Sequence, residues 1–235
     1  MKRIILAVAG LLLVACLNSQ TLEEIVKKYS DANKLDKIST LSTIKMTAKT
    51  SAMGNEMVVE TFMKNPNKVK IVTTVSGQEI VLAFDGAKGY MINPMMGAGV
   101  VEMDPAQAKQ QIANRSFFQN NLVNSFKNGL LSLEPEEKVN DKPAYKIKES
   151  LDGGNYIYHF IDKVTFLPLK LTANVSQQGQ TFIVDSYLSD FTETNGILVP
   201  MKTTQSISSM GMEMVTTIEK IEVNIPMEDS IFKLK

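Results

Sequence analysis

From residue 39 onward, apolar and polar positions alternate. Ile44, Met46 and Ala48 interleave with Lys45, Thr47 and Lys49, and Met57, Val59, Thr61 and Met63 with Val58, Glu60 and Phe62. The sets Val69–Ile71–Thr73–Val75, Ile80–Leu82–Phe84 and Tyr90–Ile92 follow, punctuated by Gly54-Asn55, Asn65-Pro66-Asn67, Gly77 and Asp85-Gly86. A period of two broken by such residues predicts half-buried strands joined as hairpins. The pattern returns at Tyr145 and Ile147. It continues through residues 156–161, which are apolar on both faces, and through Leu169–Val175, Phe182–Leu188, Ile197–Met201 and Met212–Ile218. About ten or eleven strands are expected. With no helix between consecutive strands, they form an antiparallel meander rather than βαβ units.

Two segments carry the helical period instead. Leu22, Ile25, Val26, Tyr29 and Ala32 share one helix face, and Thr21 and Glu24 form a capping box at its start. Asp104 followed by Pro105 opens a second helical region, with apolar residues at Ile112, Phe117, Phe118, Leu122, Val123 and Phe126 and a stop at Gly129.

A long sheet that is apolar on one side only curls under its own twist. The fold expected is mainly β: one curved antiparallel sheet forming an unclosed half-barrel. The N-terminal helix and the helical insertion then cover its concave face. Ile44, Met46, Met57, Val59, Met63, Ile71, Leu82, Tyr145, Ile147, Phe182, Val199 and Met214 would form the apolar wall. Phe118, Leu122 and Phe126 would form a lid. Half-barrels of this size hold either packed side chains or one apolar ligand. The 14 methionines strengthen the second option, because an unbranched, polarizable side chain adapts to variable apolar partners.

The first residues read differently. Lys2 and Arg3 precede the apolar run 4–15, the pattern of an export signal. Leu13-Val14-Ala15-Cys16 resembles a lipobox, which would lipidate Cys16 and anchor the chain to a cell-envelope membrane. The alternative is cleavage after Ser19, favoured by a helix that begins at Leu22. The expected division is a signal peptide over 1–19 and a single periplasmic domain over 20–235. Cys16 is the sole cysteine, so no disulfide forms within the chain.

Lysine plus arginine equals aspartate plus glutamate, 25 each, so no basic field attracts nucleic acid. Catalytic constellations are sparse. His159 is the one histidine, and it lies mid-strand, where a packed residue is the commoner role. No second His or Cys stands by to build a zinc site, and no Gly-x-Ser-x-Gly elbow is present. Asp85, Asp162, Asp185 and Asp190 sit at turns or strand ends, where they serve as turn formers. No enzyme activity, cofactor or metal is expected. The glycine-rich stretch 89–101 lacks the spacing and the Lys-Ser/Thr of a phosphate loop. It is read as a hairpin tip, with Met95 and Met96 at the rim of the cavity.

The segment 65–94, with its Asn-Pro turn, Phe-Asp-Gly strand end and Asn-Pro exit, resembles the core of bacterial outer-membrane lipoprotein-sorting proteins, the LolA-like group. Residues 156–171, 187–204 ("YLSDFTETNGILVPMKTT") and 226–234 ("PMEDSIFKL") resemble further elements of that group, so the likeness spans the chain after its leader. It implies an open barrel with a helical lid and carriage of lipid or lipoprotein acyl chains by a monomer, with envelope membrane proteins as possible partners. The same fold could instead serve an envelope sensor or assembly factor as a protein-binding module. One departure stands out. The resemblance implies an arginine on an early strand that latches the lid, whereas this chain has Lys45 and Lys49 there and Arg115 in the insertion.

Overall fold

The computed structural model describes residues 20–97, 99–112, 118, 122–177 and 180–234. The leader with Cys16, and Arg115 and Phe117 in the insertion, lie outside the described residues. The chain opens with α1 (Leu22–Ala32) and α2 (Leu35–Thr40). Strands β1 (Thr43–Ala52), β2 (Asn55–Lys64), β3 (Lys68–Val75), β4 (Gln78–Phe84), β5 (Gly89–Ile92) and β6 (Val101–Glu102) follow. Next come α3 (Pro105–Gln111) and α4 (Leu122–Lys127). The second run is β7 (Leu131–Val139), β8 (Lys142–Ser150), β9 (Tyr156–Asp162), β10 (Pro168–Gln177), β11 (Gln180–Thr194), β12 (Ile197–Ile207) and β13 (Met212–Val223).

The thirteen strands form one antiparallel sheet in the order β6-β5-β4-β3-β2-β1-β13-β12-β11-β10-β9-β8-β7. Each half is a meander of sequential neighbours. The halves join where β1 pairs with β13, Ile44 opposite Val223 and Ala52 opposite Met214. The outer strands β6 and β7 do not pair with each other, so the sheet stays open. The register slips between Thr47 and Ala48, an irregularity of the kind that sharpens local twist and bending.

Two strands exceed the expected count. β6 has only two residues. β7 breaks the alternation because Glu134, Pro135, Glu136 and Glu137 occupy its middle, where the register with β8 also shifts. An edge strand needs only one partner, so it tolerates a proline and charges on its free side.

The α1 capping box forms as expected: the Thr21 N–H donates to Glu24 Oε2 at 2.9 Å, and the Glu24 N–H donates to Thr21 Oγ1 at 3.2 Å. α2 was not foreseen. It follows a left-handed residue, Lys34, and lays Ile38 on the sheet.

Candidate functional site

Cross-strand register places all twelve predicted wall residues on one face. Ile44 lies opposite Met63, Met63 opposite Val69, and Val69 opposite Phe84, while Ile71 lies opposite Leu82. Tyr145 and Ile147 share that face on β8. The helices lie on this face and divide it into two packed clusters. In the first, Leu41, Ala108 and Ile112 pack with Ile44, Met63, Ile71 and Val199, with Met46, Val59, Leu82 and Phe118 against them. In the second, Ile25, Val26 and Leu122 pack with Tyr145, Ile147 and Ile161, with Phe126 alongside. Of the residues expected in the lid, Phe118 packs against the first cluster, and Leu122 and Phe126 pack in the second.

Met57, Phe182 and Met214 belong to neither cluster. They are partly exposed on strands β2, β11 and β13. Together with Val75, Ile80, Val184 and Ile207 they form an apolar trough running toward the hairpin tips of β1–β4 and β12–β13. Polar pairs cross its floor: Thr50 bonds Thr216 at 2.9 Å, and Gln205 Nε2 donates to Ser186 Oγ at 3.1 Å.

Helix α3 reaches the sheet through a gap that only glycine leaves. A Cβ on Gly89 would stand 2.3 Å from Ala108 Cβ and 3.2 Å from its Cα. The Met103 N–H also donates to the Gly89 carbonyl at 2.9 Å. A glycine inside a strand marks such close approach, so the first residue of the glycine-rich stretch has a packing role that periodicity missed.

Helix α4 is fixed by a polar knot. His159 lies on the concave face, paired with Leu171 and Ile147. Its Nε2 meets Glu149 Oε2 at 2.7 Å, both side chains being nearly buried. The Ser125 hydroxyl on α4 donates to the other Glu149 oxygen. Burial alone would raise the Glu149 pKa. Hydrogen bonds from His159 and Ser125, with the His159 charge, more than offset it and hold the carboxyl below its ordinary value. On α1, Tyr29 is pushed up to about 12, first by burial and then by the Glu149 charge. The Ser125 hydroxyl here donates its hydrogen bond to the carboxylate and not to the imidazole, unlike the arrangement in which a histidine base activates a serine.

The outer face explains why residues 156–161 are apolar on both sides. Tyr156, Tyr158 and Phe160 project outward under lysine stems: Lys146 Nζ lies 4.3 Å from the Tyr158 ring centroid, Lys148 4.9 Å from that of Tyr156, and Lys170 5.5 Å from that of Phe160. Lys45 and Lys49 also face outward, bound to Glu60 at 2.9 Å and Glu219 at 2.7 Å, so neither reaches the helices. Met95 and Met96 form a short 3₁₀ turn, 78% and 74% exposed, and belong to neither concave cluster.

The fold has known counterparts. A LolA superfamily protein from Nitrosomonas europaea superposes with a TM-score of 0.61 at 15% identity, covering 92% of this chain and 98% of that one. The chain has the LolA fold. A putative outer membrane lipoprotein-sorting protein domain from Vibrio parahaemolyticus gives a TM-score of 0.60 at 10% identity, over 89% of this chain and 94% of that one. A DUF1329 family protein from Desulfovibrio piger gives 0.59 at 15% identity, over 88% and 97%. No protein-family model and no curated protein matches the sequence. Among the described residues, the close approach of Gly89 and Ala108 and the Ser125–Glu149 hydrogen bond fasten α3 and α4 to the sheet. No helix among the described residues is long and apolar enough to cross a membrane.

Proposed function

We propose that the chain is an exported, periplasmic carrier or binder of acyl chains, without enzymatic activity, and that the ligand lies in the trough of Met57, Phe182 and Met214. The observation that carries this reading is the partial exposure of those wall residues beside a helical cover that packs the rest of the same face. Each methylene moved from water into such a surface contributes roughly 0.8 kcal/mol, so a long chain needs few polar contacts to bind. Solved proteins of this fold include one described as a lipoprotein-sorting domain, which fits the same ligand class. His159, held by Glu149, has a structural role in this reading.

The test is titration of delipidated protein with a fluorescent long-chain fatty acid, paired with native mass spectrometry of protein from envelope extracts. Saturable binding that Met214→Asp weakens at least about tenfold is expected, since a charge in the trough costs more than 1.4 kcal/mol. Binding unaffected by Met214→Asp and Phe182→Asp, or no binding and no co-purifying lipid, overturns the reading.

A further inference from the structure

The two ends of the sheet differ in chemistry. At one end, where β2 turns into β3 and β4 into β5, charges are dense: Lys64 and Lys68 hold Asp229 at 2.7 and 2.6 Å, and Lys88 holds Glu102 at 2.8 Å. At the other end three neighbouring hairpins, β3–β4, β1–β2 and β12–β13, put their tips side by side. Residues 50–55, 74–78 and 203–212, which form these tips, contain no charged residue. Two of the tips instead carry methionine, Met53 at 77% exposure and Met210 at 54%. The apolar trough opens toward this same end.

Between the methionine tips lies a hollow of about 430 Å³, lined by Ser51, Met53, Gly54, Gly211, Glu213 and Val215. Glu213 supplies its charge. Glu56 and Glu79 stand exposed just behind the neighbouring tips. The nearby lysine, Lys49, is already held by Glu219. The rim therefore combines protruding flexible apolar side chains, uncharged tips and a backing of carboxylates.

We propose that this rim seats on a lipid surface whose headgroups carry ammonium, as in zwitterionic phospholipids. Met53 and Met210 enter the interfacial layer, where a long apolar side chain gains from leaving water. Uncharged tips lose no ion hydration on entering it. Glu213, in the hollow, faces the ammonium groups, while the same carboxylates repel an anionic bilayer. A basic protein surface would match the carboxylates but would leave the protruding methionines without an apolar partner. The seating does not depend on the trough holding an acyl chain.

The chain contains no tryptophan, so a single introduced one reports on its own site. Met53→Trp and Met210→Trp test the rim. Val164→Trp, at an 83% exposed position in the β9–β10 turn at the opposite end, is the control. The full-length variants are mixed with vesicles of phosphatidylcholine and phosphatidylethanolamine, or of phosphatidylglycerol, with brominated lipids as quenchers. The apolar run 4–15 can tether any variant to a bilayer, so the readout is which tryptophan enters. A blue shift and quenching at both rim positions with the zwitterionic vesicles, absent at position 164, is expected. Glu213→Lys should move the response toward phosphatidylglycerol. No shift at either rim position, an equal shift at position 164, or a response confined to phosphatidylglycerol overturns the proposal.

Discussion

Glu149→Leu should destabilise the protein by about 3–5 kcal/mol, because two nearly buried hydrogen-bonding groups lose their charged partner at about 1–3 kcal/mol each. The structure gives the reason. The carboxylate satisfies His159 Nε2 at 2.7 Å and the Ser125 hydroxyl at once, on a nearly buried site between β8, β9 and α4. Leucine leaves both donors facing apolar neighbours such as Ile147. A domain of this size loses about 2–4 °C of Tm per kcal/mol, so the drop is on the order of 6–20 °C. Replacing both partners is different, because Glu149→Leu with His159→Leu leaves only Ser125 unpaired and restores most of the loss. Urea unfolding of wild type, both single variants and the double variant at pH 7 closes the cycle. The pH dependence has a definite sign. The folded pKa of Glu149 lies below its ordinary value of 4.5. The stability that this shift contributes is therefore fully present above about pH 4.5 and is lost as pH falls through the folded value. The gap between wild type and Glu149→Leu should narrow over that acid window. A coupling energy under about 0.5 kcal/mol, within the error of additivity, refutes the knot.

Gly89→Ala should lift α3, because the new Cβ would overlap Ala108 at 2.3 Å; a cost of about 1–3 kcal/mol in urea unfolding is expected, with faster proteolysis across residues 103–112. Asp229 is held at about 2, first by its hydrogen bonds from Lys64 and Lys68. A lowered carboxylate stabilises above its unfolded pKa, near 3.8, and loses that contribution as pH falls toward 2. Hydrogen exchange around residues 225–234 should therefore rise in that window in the wild type and be pH-independent there in Asp229→Asn.

The meanders β1–β5 and β8–β13 are legible in the chain because each strand has one wet and one dry face and each turn carries its own residue chemistry. Asn195-Gly196 and Ser76-Gly77, for example, adopt the positive φ angles that such turns require. The capping box is legible because its partners are three residues apart. β7 is not, because an edge strand with Pro135 and three glutamates has no alternation to detect. The knot is hidden for another reason: Ser125, Glu149 and His159 meet only through strand pairing and helix docking. Sequence puts His159 in a strand but not against a carboxylate. Likewise, alternation places Met57 and Ile44 on one face, yet only the position of the helices decides which of them is sealed. The protruding methionines also escape periodicity, since exposure at Met53 and Met210 depends on which hairpins share an end.

The open trough follows from connectivity. A closed barrel would bury its apolar face without helices, but here β6 and β7 stay apart, so the chain between them must pass from one edge to the other. Among its described residues, Ala108, Ile112 and Leu122 lie on the concave side, where they leave water. Its two helices dock near opposite flanks, α3 on β5 and α4 on β8, while α2 seals the charged end of β1 and β12. The tip-ward parts of β1–β4 and β11–β13 lie away from each of these contacts, and there Met57, Phe182 and Met214 remain partly exposed. Cover and capacity are thus set by different residues. A larger side chain at Met214 fills the trough without touching either helix contact. A methyl group at Gly89 displaces a helix while filling nothing.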